Sequence, residues 1–162
     1  MEFKIERIEN TSVSDTEIFN LLSEVYVQAG FTKPETATSI FEPRKVKNRG
    51  ILFVCREVES KVLAGMVIVV PASSLAAVRA KENQCEMHLL GVLPRFRGHG
   101  LGRKLVEKTL EFATTNNFSK MILWTQKPME NAQRLYESSG FIRCGEMNKN
   151  GIDFFVYEKA LT

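Results

Sequence analysis

Hydrophobic residues recur along the chain with two different periods, and these periods predict strands and helices in alternation. Runs that are apolar, or that alternate with polar residues, predict strands over 3–8, 51–55, 62–70, 85–93, 121–124, 141–144 and 152–159. Apolar residues at helical spacing predict helices from 14 up to 30, over 35–41, from 101 up to 116 and over 131–138. The pattern therefore predicts a mixed α/β fold.

Turn-forming residues indicate how two of the strand pairs connect. Asn150-Gly151 between two apolar runs is typical of a tight hairpin turn, and the polar segment 57–61 predicts a second antiparallel hairpin. Ser14, with Glu17 three residues later, is typical of a helix N-terminus. These connections favour a sheet in which most neighbours are antiparallel.

The strand predicted at 85–93 differs from the others because a helix separates it from the next strand, at 121–124. A strand, a helix and a second strand in this order predict a right-handed crossover and a parallel pair. The preceding stretch, 72–84, has no clear period, and we expect an irregular connection there.

Length, charge and cysteine content restrict the class of protein. A chain of 162 residues predicts a single domain over 1–162. The net charge of +3 contains no long basic run, so we expect no nucleic-acid partner and expect the basic cluster at 44–49 to be a solvated surface. The three scattered cysteines favour free thiols. With no signal-like or membrane-length apolar run, we expect a cytoplasmic protein with no membrane partner.

A glycine-rich segment after the strand at 85–93 predicts an anion site. Gly98, Gly100 and Gly102 alternate with other residues and are flanked by arginines at 95, 97 and 103, immediately before a predicted helix. Glycines allow backbone amides to turn towards a ligand, and a helix N-terminus attracts phosphate. The spacing matches neither a Walker loop nor a dinucleotide-binding fingerprint. An R-x-x-G-x-G pattern at a strand-to-helix turn is what remains.

Two stretches together resemble the GNAT superfamily of acyl-CoA-dependent N-acyltransferases. They are LGVLPRFRGHGLGRKL at 90–105 and NAQRLYESSGF at 131–141, which match in order and spacing. The resemblance implies a mixed, mostly antiparallel sheet of six to seven strands with helices on both faces. It also implies a central parallel pair that splays into an acyl-CoA cleft, with a bulge that we expect at Gly91.

The same resemblance implies acetyl-CoA as cosubstrate and no metal. Backbone amides at 97–103 would hold the pyrophosphate, the edge of the strand at 90–92 would pair with the pantetheine arm, and two residues of the later helix would lie near the sulfur. The residues so assigned are Leu90, Gly91, Val92, Arg97, Gly98, His99, Gly100, Leu101, Gly102, Arg103, Asn131 and Tyr136.

Acyl transfer to an amine needs a base, an oxyanion donor and an acid for the leaving thiolate. We expect Tyr136 to be the acid, Glu86 the base and a backbone amide near Val92 the oxyanion donor. His88 lies two residues after Glu86 and shares its face of the strand, so His88 or a water relay stays open as the base. Gln126 stands where some relatives have a catalytic glutamate, so no base is expected there.

The acceptor is expected to be a small-molecule or peptide amine bound between segments 31–48 and 148–152. The function expected is N-acetyl transfer from acetyl-CoA to a primary amine, by direct attack in a ternary complex. The alternative is a non-catalytic acyl-CoA-binding or interaction module with the same fold. A homodimer is compatible with the family.

Overall fold

The computed structural model describes residues 1–161 as one seven-stranded sheet with helices on both faces. The strands are β1 Phe3–Arg7, β2 Ile51–Glu57, β3 Leu63–Pro71, β4 Gln84–Val92, β5 Lys120–Gln126, β6 Ile142–Lys149 and β7 Ile152–Ala160. The helices are α1 Asp15–Leu22, α2 Pro34–Ile40, α3 Pro43–Lys47, α4 Leu101–Thr115 and α5 Glu130–Ser138. The predicted mixed fold is confirmed.

The strand order in the sheet is β1-β2-β3-β4-β5-β7-β6. Every neighbouring pair is antiparallel except β4 and β5, which are parallel and joined through α4. The predicted parallel pair is therefore confirmed. Helix α4 packs on one face through the buried Leu105, while α1 packs on the other through the buried Leu21 and Leu22.

The parallel strands separate soon after they begin. Their register covers only three pairs and ends at Glu86 opposite Ile122, although β4 continues to Val92 and β5 to Gln126. Backbone groups beyond this point have no partner strand across the gap. The predicted splayed pair is confirmed, and the gap opens at the level of His88 and Trp124.

A bulge in β4 lies at Leu89 and Leu90, not at the predicted Gly91. Met66 pairs with Gly91 and Ile68 with His88, so β4 contains one more residue than β3 between the two pairs. Leu89 accommodates this residue with φ +51°. Glycine is favoured at position 91 for a different reason. A Cβ at Gly91 would lie 3.3 Å from a methyl group of Val25.

The first helix is shorter than predicted and changes geometry before Gly30. The predicted capping box of Ser14 and Glu17 is present, but α1 ends at Leu22 and continues as a π-helical turn, Ser23–Val27. The amide of Gln28 donates to the carbonyl of Ser23 at 3.0 Å, which closes this wider turn. The wider turn changes the direction of the side chains within it, and Tyr26 points towards β4.

Candidate functional site

The glycine turn between β4 and α4 forms an open cradle of backbone amides. Gly98 and Gly100 have φ of +85° and +74°, and a Cβ at either would meet no atom within 4 Å. Among the described residues, no backbone carbonyl accepts from the amides of 98–103. These unpaired donors at the N-terminus of α4 fit an anionic group such as a pyrophosphate.

The third glycine has a packing role that the spacing did not indicate. A Cβ at Gly102 would lie 3.1 Å from Cδ2 of Leu135 in α5. Gly102 therefore lets α5 approach the start of α4 closely, and the contact between Arg103 and Ser138 joins the same two helices.

The side chains around the turn are largely engaged with the protein. Arg97 donates from Nε to the carbonyl of Val92 at 3.2 Å, and Arg103 donates to Oγ of Ser138 at 3.2 Å. The ring of His99 lies 5.4 Å from that of Phe3 and is exposed. Both arginines are exposed beside the cradle, where their remaining donors can reach a bound anion.

The free edge of β4 presents backbone groups to the gap. The amide of Leu93 donates to Ala64 in β3 at 2.8 Å, so the amide of the preceding Val92 points to the opposite edge of β4. The carbonyl of Leu90 accepts from the hydroxyl of Tyr26 at 2.9 Å. Burial raises the pKa of Tyr26 to about 12, so this donor keeps its proton. Helical spacing did not identify Tyr26, because the π-helical turn decides its direction.

Tyr136 lies in the buried face of α5 with its ring against Phe141 and Tyr157. Its hydroxyl has no hydrogen-bond partner among residues 1–161. Burial raises the pKa of Tyr136 well above its ordinary value, and the nearby Tyr26 adds to the shift. Tyr136 is thus a neutral donor whose hydroxyl is not used by the described residues.

Asn131 lies in the first turn of α5 and is exposed, with its side-chain oxygen accepting from Arg134. It is not the N-cap, which is Met129. The start of α5 is held by the buried Gln133, whose amide donates to the carbonyls of Gln126 and Lys127 at 3.3 and 2.8 Å. Sequence reasoning missed Gln133, although it precedes Tyr136 by three residues on the same helical face.

Glu86 is completely buried and enclosed by hydrogen-bond donors. Its carboxylate accepts from the amides of Val78, Arg79 and Ala80, and from Nε2 of His88 at 2.8 Å. Burial alone would raise the pKa of Glu86, but these hydrogen bonds hold it below its ordinary value. The loop predicted to be irregular is therefore organised around this carboxylate, and an amine has no direct access to it.

His88 lies at the mouth of the gap, with its ring 5.1 Å from that of Trp124. Its Nδ1 lies 3.2 Å from Nη1 of Arg49. Because a guanidinium only donates, Nδ1 must accept and Nε2 must carry the proton shared with Glu86. Burial lowers the pKa of His88, and Arg49 lowers it further, so the ring is neutral.

Gln126 cannot serve as a base, and it fastens the acceptor side of the gap. Its amide donates to the carbonyl of Phe31 at 3.0 Å, which ties the segment before α2 to the end of β5. Arg49 similarly connects this side to α2 by donating to the carbonyl of Ile40 at 3.2 Å. These two contacts place the segments around α2, where the acceptor is expected, beside the gap.

Two further findings concern the part of the chain that the structure describes. No helix in residues 1–161 combines the length and the apolar character needed to cross a membrane. No group of three or more His, Cys, Asp or Glu side chains in the same residues is placed to hold a metal ion.

Comparisons with known proteins agree with this geometry. The N-acetylaspartate synthetase of Danio rerio is 39% identical over 85 residues, which are 52% of this chain and 29% of that protein. This chain thus matches less than a third of that relative's length. An acetyltransferase of the GNAT family from Staphylococcus aureus Mu50 has a TM-score of 0.79 at 16% identity, covering 99% of this chain and 100% of the other.

A Bacillus subtilis acetyltransferase solved in complex with CoA has a TM-score of 0.69 at 16% identity, covering 99% of this chain and 100% of the other. At these identities the structural matches show the fold alone. The family model described as Acetyltransferase (GNAT) family matches residues 16–141, which include the glycine turn and α5. The chain belongs to the GNAT acetyltransferase family.

Proposed function

We propose that the protein transfers the acetyl group of acetyl-CoA to a primary amine by direct attack in a ternary complex. The observation that carries this proposal is the cradle of unpaired amides at 98–103, which opens beside the gap between β4 and β5. An anion held by the cradle and an extended arm along the edge of β4 would bring a thioester to the mouth of the gap.

The cosubstrate would be held by backbone and side chain together. The amides of 98–103, flanked by Arg97 and Arg103, would take the pyrophosphate, and the β4 edge at 90–92 would take the pantetheine arm as an added strand. The amide of Val92 faces the gap and would donate to the thioester oxygen as negative charge develops on it. Asn131 is exposed in the first turn of α5, where it would contact the arm close to the sulfur.

Tyr136 would protonate the leaving thiolate. Its phenol stays protonated because burial raises its pKa, so it can donate a hydrogen bond and then a proton to the departing thiolate. When the amine nitrogen bonds to the carbonyl carbon and the carbon–sulfur bond breaks, this proton yields free CoA thiol.

The base is where the structure leads us to revise the sequence prediction. Glu86 is enclosed, so we propose that Nδ1 of His88 receives the proton released by the attacking amine and that Glu86 positions the ring through Nε2. Once the amine nitrogen is bonded to the carbonyl carbon, it is more acidic than a free ammonium. A neutral imidazole is therefore a strong enough base to take its proton. Arg49 must leave Nδ1 for this step.

The alternative, a non-catalytic acyl-CoA-binding module, is favoured by one observation. Arg49 covers Nδ1 of His88, and Glu86 is closed to solvent, so neither candidate base is free in this structure. Both functions require CoA binding, and only the first requires turnover.

The experiment mixes the protein with acetyl-CoA and a panel of amines while free thiol is measured. Catalysis predicts amine-dependent thiol release, and Tyr136→Phe should lower kcat by about 10²-fold or more with near-normal CoA affinity. Tyr157→Phe is the matched control, since it removes a hydroxyl that donates to Glu137 at 2.6 Å outside the cleft. Tight CoA binding without turnover of any amine would identify the non-catalytic module, and absence of CoA binding would refute both.

The pH profile tests the base. If neutral His88 accepts the proton, kcat/KM should fall as pH drops through a pKa below the ordinary value of about 6.5. His88→Gln should abolish that acidic limb and lower kcat. An unchanged limb in the variant would assign the titration to another group.

A further inference from the structure

Arg49 occupies the acceptor side of the gap without an acidic partner. Its guanidinium is partly buried and donates to Nδ1 of His88 and to the carbonyl of Ile40, both at 3.2 Å. Among the described residues, no carboxylate oxygen lies within 4 Å of it. A guanidinium carries five N–H donors, so donors remain unused. A partly buried cation in this state is stabilised by a bound anion.

Two acids, Glu86, which bonds the same histidine, and Glu42, which precedes α3, are engaged elsewhere. Glu86 is enclosed by backbone amides and the far nitrogen of His88, and Glu42 accepts from the amide of Arg44 at the start of α3. A second cation, Lys149 at the end of β6, is close enough to lower the pKa of His88. The group that enters this side of the gap therefore meets positive charge next to a neutral imidazole.

We infer that the acceptor is a small amine that carries its own carboxylate, and that Arg49 binds this carboxylate. A carboxylate accepts two parallel hydrogen bonds from a guanidinium, a geometry that a neutral amide cannot reproduce with the same strength. The inference rests on the proposed function, because it names the acceptor class of the same site.

Carboxylate binding would also solve the problem of the covered base. A carboxylate that takes the N–H group now directed at Nδ1 of His88 releases the ring from the guanidinium. The amine must then lie beside the exposed Nδ1, which requires that few bonds separate amine and carboxylate. Amino acids meet this condition, whereas a lysine side chain in a protein, or an N-terminal residue other than Asp or Glu, carries no carboxylate at that distance.

The experiment compares matched pairs that differ only at the carboxylate. The probes are the proteinogenic L-amino acids and β-alanine, each assayed against its own carboxamide with the full chain and acetyl-CoA. The amine of a carboxamide is less basic and more of it is neutral, so intrinsic reactivity favours the amide. We expect the opposite, with kcat/KM at least about tenfold higher for the acid of the preferred pair, equivalent to about 1.4 kcal/mol.

Two variants assign the preference to Arg49. Arg49→Gln should lower kcat/KM for the acid at least tenfold relative to its carboxamide and so remove the preference, while Arg49→Lys should retain part of it. The carboxamide itself should react no more slowly, because the variant uncovers Nδ1 of His88. Arg44→Gln is the matched control, since Arg44 is exposed in the same basic segment and does not contact His88. Circular dichroism of each variant verifies folding.

A binding measurement separates this inference from the proposed function. Calorimetric titration of acid and carboxamide into the CoA-bound protein requires no turnover. Suppose that the acid binds, that Arg49→Gln abolishes this binding, and that no amine is turned over. This result would support the carboxylate site and refute catalysis. Suppose instead that amines are turned over, but that acid and carboxamide react equally or that Arg49→Gln changes the rate of neither. This result would overturn the carboxylate site and leave acetyl transfer standing.

Discussion

Replacing Glu86 by Gln tests whether this carboxylate is mainly structural. The side chain keeps its shape but loses its charge and one acceptor oxygen. In the wild type the carboxylate accepts from three amides, those of Val78, Arg79 and Ala80, and from His88. If the remaining oxygen stays with the amides, the new NH₂ group faces Nε2 of His88. The imidazole must then carry its proton on Nδ1, opposite a donor of Arg49.

The magnitude follows from these contacts. Hydrogen bonds to a charged group contribute about 1.5–3 kcal/mol and neutral ones about 0.5–1.5 kcal/mol, so three amides lose about 1 kcal/mol each. Loss of the contact between His88 and Arg49 adds to this, and relaxation of the loop reduces it. We expect Glu86→Gln to lower the free energy of unfolding by about 2–4 kcal/mol. Glu82→Gln, at an exposed position of the same loop, should change it by less than about 0.5 kcal/mol.

Urea unfolding at neutral and acidic pH measures this. The folded-state pKa of Glu86 lies below its ordinary value, so its contribution is fully present above about pH 4.3 and is lost as pH falls through the folded pKa. The wild type should therefore lose more stability than Glu86→Gln on acidification. A variant within about 1 kcal/mol of the wild type at neutral pH, with the same acid slope, would refute the structural role.

Three further predictions concern other parts of the fold. Gly91→Val should lower the free energy of unfolding by about 1–3 kcal/mol, measured in urea, because its Cβ would lie 3.3 Å from a methyl group of Val25; no loss would mean that the π-helical turn can move away. Gly100→Ala, at φ +74°, should cost about 1–2 kcal/mol and weaken CoA binding severalfold in calorimetry; unchanged CoA binding would contradict the cradle. Hydrogen bonding to Arg56 lowers the pKa of Glu17 to about 2. Because this pair is partly exposed, Glu17→Gln should cost only about 0.5–1.5 kcal/mol at pH 7, and this difference should shrink from pH 4.5 towards pH 2; a pH-independent difference would exclude the ion pair as its cause.

Much of the fold could be predicted because local patterns encode it. Over residues 1–161, alternation and helical spacing identified all seven strands and four of the five helices. They missed only the short α3, which begins at Pro43. The crossover from β4 to β5 followed from the order of elements and the handedness rule. Strand ends were less accurate, since β6 extends to Lys149 and its exposed residues show no clear alternation.

Part of the candidate site could likewise be predicted from the sequence, and part of it could not. The glycine turn was identifiable because positive φ and open amides depend on residues that are adjacent in sequence. Tyr136 was identifiable because the stretch 131–141 resembles a motif of the family. The shared face of Glu86 and His88 followed from the strand period, and their hydrogen bond confirms it. Their roles as base, and those assigned to the cofactor residues, stay predictions.

The sequence by itself thus determined the separate strands and helices and the glycine turn, because each depends on residues within a few positions of one another, and the order of these elements determined the crossover. Only the tertiary structure decided how the two candidate bases, Glu86 and His88, are enclosed. Arg49 and His88 are 39 positions apart, and Tyr26 and Leu90 are 64 apart. Their contacts depend on the bulge in β4, the π-helical turn and the way the loop before β4 folds onto Glu86. No local period carries this information, since burial and pairing of a charged side chain depend on which distant groups the register of the sheet brings beside it.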